Sequence, residues 1–271
     1  MEKSLILFLS LLLVSAACLS QEVTRCNSRA FQDSLVEVYS KRAWQFGDNH
    51  PQREASWDSL LAICPNVSDA YREKAIPYLK SADYARAFEL EDKAVELDPE
   101  KWIAYRGFLH CIFTKNYEKA LADFGRAEKL VPNANIMDHT YSFYLGLCYL
   151  GLAEYAQAEQ AFLKDVTQQR KGNGNNDSHF NSLLYLGIVY YEIREYDQAE
   201  KVLKDCLRLY TQLPEANYYL ALTLKNSGNS EASYYFEKAS EYSNLGYRLN
   251  EDNEAYANYP RQISQSDIVR K

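Results

Sequence analysis

Residues 101–132 read KWIAYRGFLHCIFTKNYEKALADFGRAEKLVP. Apolar residues recur there at three- and four-residue steps, the mark of a helix with one buried face. Two such runs, over residues 102–114 and 117–130, are parted by Lys115-Asn116, so the stretch predicts a helical hairpin. Its second half sets Tyr117, Ala120, Phe124, Ala127 and Pro132 in a ladder, and that ladder recurs along the chain.

Other copies run Tyr84, Ala87, Ala94, Pro99; Tyr155, Ala158, Phe162; and Tyr196, Ala199, Leu203, Cys206, with a last one at Ala232, Phe236, Ala239. Upstream of two of them stand Leu145-Gly146 with Tyr149 and Leu186-Gly187 with Tyr190. Gly146 precedes Ala158 by 12 residues, and Gly187 precedes Ala199 by the same 12. Glycine inside a helix costs about 1 kcal/mol relative to alanine, so these two positions call for two helices that approach closely. Unrelated amphipathic helices would not keep that offset.

The ladder and its upstream signature resemble the tetratricopeptide repeat family, whose unit is about 34 residues long. The likeness covers residues 68–243, as repeats over 68–100, 101–134, 139–170, 180–213 and 214–243. It implies an all-α fold, an α-solenoid of antiparallel hairpins in a right-handed superhelix. Residues 21–67 are expected to form a degenerate first hairpin, with helices over 29–46 and 52–63, and residues 244–271 a tail or cap. Ser68, Asp83, Asn116 and Asp138 are expected to cap helices. Pro77 should bend or end the helix that holds it. In the tail, residues 251–257 suggest a short helix, and the polar stretch from Pro260 onward reads as frayed.

The family places the first helix of each repeat along a concave groove that holds a peptide or protein. The matching positions here are Trp102, Tyr105, Arg106, Phe143, Tyr144, Tyr185, Tyr191, Tyr218 and Tyr219. Packing between repeats competes for the same aromatic residues. The resemblance therefore implies a non-enzymatic protein–protein scaffold, with a glycan-binding envelope protein as the alternative, since aromatic faces also stack on sugars.

Nothing in the residues speaks for catalysis, a cofactor or a metal. There is no H-E-x-x-H, no C-x-x-C and no phosphate-cradling glycine motif followed by Lys. Gly172-Asn173-Gly174 lies between helices, where a flexible turn is the simpler reading. His110 and Cys111 are helical neighbours that point apart, and Cys111, Cys148 and Cys206 fall at packing positions as small buried hydrophobes. A net charge of −7 without a basic cluster argues against nucleic acid as a partner.

Residues 1–20 read as an export signal, with an apolar run over 5–14 and the small residues Ser15-Ala16-Ala17 before Gln21. The run is too short to span a membrane, which takes about 20 apolar residues. Signal peptidase cleavage is one route. The other makes Cys18 a lipidated first residue, since Ala16-Ala17-Cys18 resembles the end of a bacterial lipobox, although Ser15 departs from it. Either route implies an exported protein, periplasmic or associated with the outer membrane, touching a membrane only through that anchor. Export also makes a Cys26–Cys64 bridge chemically available, although spacing alone does not bring the two Cα atoms into range. Mass spectrometry of the mature amino terminus separates the routes: a lipid-sized increment on Cys18 marks the anchor, and an unmodified Gln21 start eliminates it.

Overall fold

The computed structural model describes residues 25–172, 178–249 and 251–269. The expected export signal, with Cys18, and residues 173–177 of the glycine-rich loop lie outside the described residues. The chain divides into two compact units, Met1–Trp102 and Ile103–Lys271, so the repeats expected over 68–243 are shared between them. Helix dominates both. Among the described residues the only sheet is a pair of two-residue strands.

The first unit contains α1 (Arg29–Ala43), α2 (Pro51–Ile63), α3 (Ser68–Lys80) and α4 (Tyr84–Leu97), each packed on the next. Pro51 opens α2 at its first turn, where the missing N–H is harmless. Trp57, Leu60, Val67 and Ala70 form a core with Ala43 and with the disulfide that joins Cys26 to Cys64, whose Cα atoms are 5.5 Å apart. Arg53, almost buried, lies between Asp48 at 3.1 Å and Glu73 at 3.4 Å.

The helix α5 (Pro99–Ile112) comes next, followed by α6 (Tyr117–Leu130), the strands β1 (Asn135–Ile136) and β2 (His139–Thr140), α7 (Tyr141–Gly151), α8 (Tyr155–Gly172), α9 (Phe180–Glu192), α10 (Tyr196–Leu209), α11 (Pro214–Asn226), α12 (Ala232–Asn244) and α13 (Gln265–Val269). From α6 to α12 each helix packs on its successor. The first helices of successive hairpins also touch, α7 on α9 and α9 on α11, which makes this unit a stack of hairpins.

Small residues set the stack. Ala87, Ala120, Ala158 and Ala199 are fully buried. A Cβ added to Gly146 would come within 2.7 Å of the Phe162 ring, and one on Gly187 within 2.6 Å of Leu203. Those contacts fix the register of the two helices, so each glycine keeps a constant offset from the alanine that stands one helical turn before the side chain it meets. The turns repeat as well. Ala82, Lys115, Ala153 and Arg194 all have positive φ, each immediately before the residue that leads into the second helix, and Gly228 takes the same conformation three residues before the one that precedes α12. That following amide reaches back to the first helix, as Asp83 does to Tyr78, Glu154 to Tyr149 and Glu195 to Tyr190, in the manner of a Schellman ending. Asp83 then caps α4 by accepting from the Arg86 amide, and Asn116 caps α6 by accepting from Lys119.

Several expectations are corrected. Helix α1 ends at Ala43 rather than residue 46. Val67, not Ser68, precedes α3, and the Ser68 hydroxyl instead accepts from the Trp102 indole N–H at 3.0 Å. Pro77, by contrast, stands where the helix ends, as expected: it lies in the last turn of α3, and its carbonyl accepts from the Ser81 amide. Asp138 does not cap the following helix. It forms a tight turn with Met137, both at positive φ, and Thr140 caps α7 by accepting from the Phe143 amide at 3.1 Å. The stretch beyond Pro260 is not frayed: α13 packs on α12, and Ile268 is buried.

The seam gives a direct test. Phe162 is boxed by Phe143 and Tyr185, with ring centroids 5.9 Å away on either side, so it has no room to retreat. Gly146→Ala should therefore lose more to overpacking, about 1–3 kcal/mol, than the roughly 1 kcal/mol it gains in helix propensity. Urea denaturation should show a lowered midpoint; an unchanged or raised midpoint would contradict the seam.

Candidate peptide-binding face

The first helices α7, α9 and α11 are apolar on nearly every side, so they are buried from both directions. One direction is covered by their own second helices. The other is covered by the carboxyl-terminal segment, which leaves α12, passes through a short 3-10 turn at Asp252–Ala255 and crosses the first helices.

Glu251 makes the first polar contact. Its Oε1 lies 2.9 Å from His139 Nε2 and accepts from the Asn181 side-chain amide. Its Oε2 accepts from the Tyr259 hydroxyl at 3.2 Å. The Tyr259 ring stacks on Tyr185, centroids 6.5 Å apart and planes at 29°, and its hydroxyl meets that of Tyr144. Two backbone carbonyls of the segment are also held: Asn258 accepts from Lys115, and Arg261 accepts from the Tyr219 hydroxyl at 2.9 Å. The Arg261 guanidinium lies 3.5 Å from Glu192. Tyr259 is 3% exposed, so the segment is seated rather than merely adjacent.

Local structure aims His139. The two-residue turn at Met137 and Asp138 has the positive φ at both positions that a tight hairpin requires, and it pairs Ile136 with His139 and Asn135 with Thr140. The imidazole is then stacked on Phe143 at 4.0 Å and stands edge-on to Tyr144 and His179. Beneath it the buried Asp165 accepts from Thr140 at 2.8 Å and from Gln169 at 2.7 Å. Burial pushes the Asp165 carboxyl upward. Burial would raise Glu251 too, but hydrogen bonds from His139 and Tyr259, together with the nearby imidazoles, hold its carboxyl below the ordinary range. Burial and the Glu251 carboxylate push the Tyr259 phenol far upward, so it remains a neutral donor.

Of the nine aromatic and basic positions expected along the groove, Tyr144, Tyr185 and Tyr219 lie together under the segment. Tyr191 is half-buried beside Tyr219, with centroids 5.9 Å apart, and Tyr218 packs edge-on against Tyr219 and Phe236. Phe143 is fully buried in the core. Tyr105 is buried next to Phe108. Arg106 closes on Asp123 through two bonds of 2.8 and 2.7 Å. Trp102 belongs to the first unit, where the Arg72 guanidinium and the Lys101 ammonium approach its ring. His139, Asn181, Glu251 and Tyr259 carry no repeat-position signal, and sequence reasoning missed them.

No protein-family model and no curated relative matches the sequence; the likeness to known proteins is structural. PilW, a "widely conserved type IV pilus biogenesis factor", superposes with a TM-score of 0.62 at 16% identity, over 81% of this chain and 96% of its own. PilF of Pseudomonas aeruginosa gives 0.59 at 20% identity, over 79% and 96%. YrrB, "a TPR protein with an unusual peptide-binding site", gives 0.53 at 18% identity, over 69% and 92%. The chain has the tetratricopeptide-repeat fold.

Because Glu251 is seated as a carboxylate, its contribution to docking is complete above the ordinary value of 4.5 and is lost as pH falls through its lowered value. Carbon-13 NMR of the glutamate carboxyls should place the Glu251 midpoint below 4.5. Of the groups facing it, His179 is lowered by burial to about 4 and so titrates in the same range. A midpoint at or above 4.5 would mean that the seat does not favour the charged form.

Proposed function

We propose that this protein is a non-enzymatic interaction scaffold of the cell envelope, and that the face built by α7, α9 and α11 binds a segment of a protein partner. One observation carries the reading: that face already seats a segment of polypeptide, through side-chain contacts and through the hydrogen bond from Tyr219 to the Arg261 carbonyl, while Lys115 in the turn before α6 holds the Asn258 carbonyl. Main-chain contacts of this kind give affinity, while the carboxylate and ring contacts give selectivity. Aromatic anchors in desolvated positions are also the usual centres of binding energy.

The Cys26–Cys64 disulfide supports export, since such bonds persist in oxidising compartments. Among the described residues no helix is long and apolar enough to cross a membrane. A lipid on Cys18 or cleavage beyond it would then decide whether the scaffold is tethered or free. The likeness to PilW fits an envelope assembly role without naming the partner.

Photo-crosslinking tests the face. A photoreactive residue at Tyr191, half-buried at its rim, should capture a defined set of envelope proteins. The same residue at Leu163, 41% exposed on the second helix α8, should not capture that set. Identical capture from both positions would overturn the assignment.

A further inference from the structure

The seated segment behaves as a strap fastened at both ends. It leaves α12 at one end, and at the other α13 returns to pack on α12 with Ile268 buried. Between those attachments, residues 251–261 rest on the first helices through a few discrete contacts: a carboxylate, one ring, two carbonyls and an exposed ion pair. The fit is incomplete. Asn181 Oδ1, the Tyr185 hydroxyl and Asn253 Nδ2 are buried with no hydrogen-bond partner in the structure, a condition that proteins seldom leave in a permanent core. A segment that met the Asn181 and Tyr185 atoms would hold the seat better than the strap does.

We propose that the strap is an internal copy of the partner's binding segment, and that partners bind by displacing it. This deepens the reading of the face as a peptide site and rests on it. The chemistry of the strap then describes the partner. It carries a carboxylate side chain for His139 and Asn181, a tyrosine ring eight residues later for Tyr144 and Tyr185, and a basic residue beyond it for Glu192. Because the strap is tethered, it competes at an effective concentration on the order of millimolar. Only a segment of matching chemistry, or one delivered at comparable local concentration, gains entry. Weak peptides are excluded until the strap lifts. The two fastenings let it lift and return without loss of the stack.

The test uses the full chain and a labelled peptide, LNEDNEAYANYPRQI, the sequence of residues 249–263. Fluorescence anisotropy should show the peptide binding the Glu251→Gln/Tyr259→Ala chain roughly tenfold or more tightly than the unaltered chain. The same two changes made in the peptide should abolish that binding. Equal binding to both chains, or binding to neither, overturns the proposal. Hydrogen exchange on the unaltered chain guards against a variant that misfolds. Amides 251–261 should exchange roughly tenfold or more faster than those of α9 through local opening, and equal protection would mark the strap as a permanent part of the fold and overturn the copy. Cross-linking from Tyr191 separates the two levels: capture without peptide binding sinks the internal copy alone, and no capture sinks the face itself.

Discussion

The architecture depends on how closely two helices of a hairpin can approach. Where Gly146 meets the Phe162 ring and Gly187 meets Leu203, a single added carbon has no place. Close approach brings the first helix of each hairpin deep under its second. It also lets the first helices of neighbouring hairpins touch, α7 against α9 and α9 against α11. Everything displayed on the far side of those helices is a consequence: Tyr144, Tyr185 and Tyr219 come into line because their helices are held in one row. The left-handed residue that recurs in the later hairpin turns serves the same end. A non-glycine residue there costs about 1–2 kcal/mol, and it recurs at Ala82, Lys115, Ala153 and Arg194 because the sharp reversal leaves the backbone no other path.

The row is polar where the carboxyl-terminal segment is seated. A purely apolar face would take any hydrophobic segment, whereas His139 and Asn181 accept only an acceptor of the right charge and reach. Their position is secured from below by Thr140 and Asp165 and from the side by Phe143. The short β pair that aims the imidazole interrupts the repeat rhythm, and its turn at Met137 and Asp138 has positive φ at two consecutive non-glycine residues. Local strain of this type concentrates where a side chain must be aimed.

The parts of the molecule legible in the sequence are those that recur. The 12-residue offset between Gly146 and Ala158 is a packing distance written twice, and it gave the hairpins to within a few residues of their observed ends. Tyr144, Tyr185 and Tyr219 were legible for the same reason, since they hold corresponding places on first helices. What covers them was not. Glu251 and Tyr259 lie outside any period, and a polar stretch beyond Pro260 resembles a solvated end although Arg261 reaches Tyr219 and Glu192 and α13 packs on α12. His139 was hidden by its neighbour: Asp138 has the chemistry of a cap, yet Thr140 does that work two residues later and frees the pair for the tight turn.

The strap also acts as a ruler. Stacks of this kind ordinarily gain or lose whole hairpins at little cost, because each unit contacts only its neighbours. Here Glu251 must reach the residues before and within α9 while Arg261 reaches α11, all from one stretch of fixed contour. A hairpin inserted between α7 and α11 would carry those stations apart and leave the clasp short. Growth is therefore confined to the part of the chain before Lys115, and the number of units under the strap is a fixed length, set by a peptide rather than by a core.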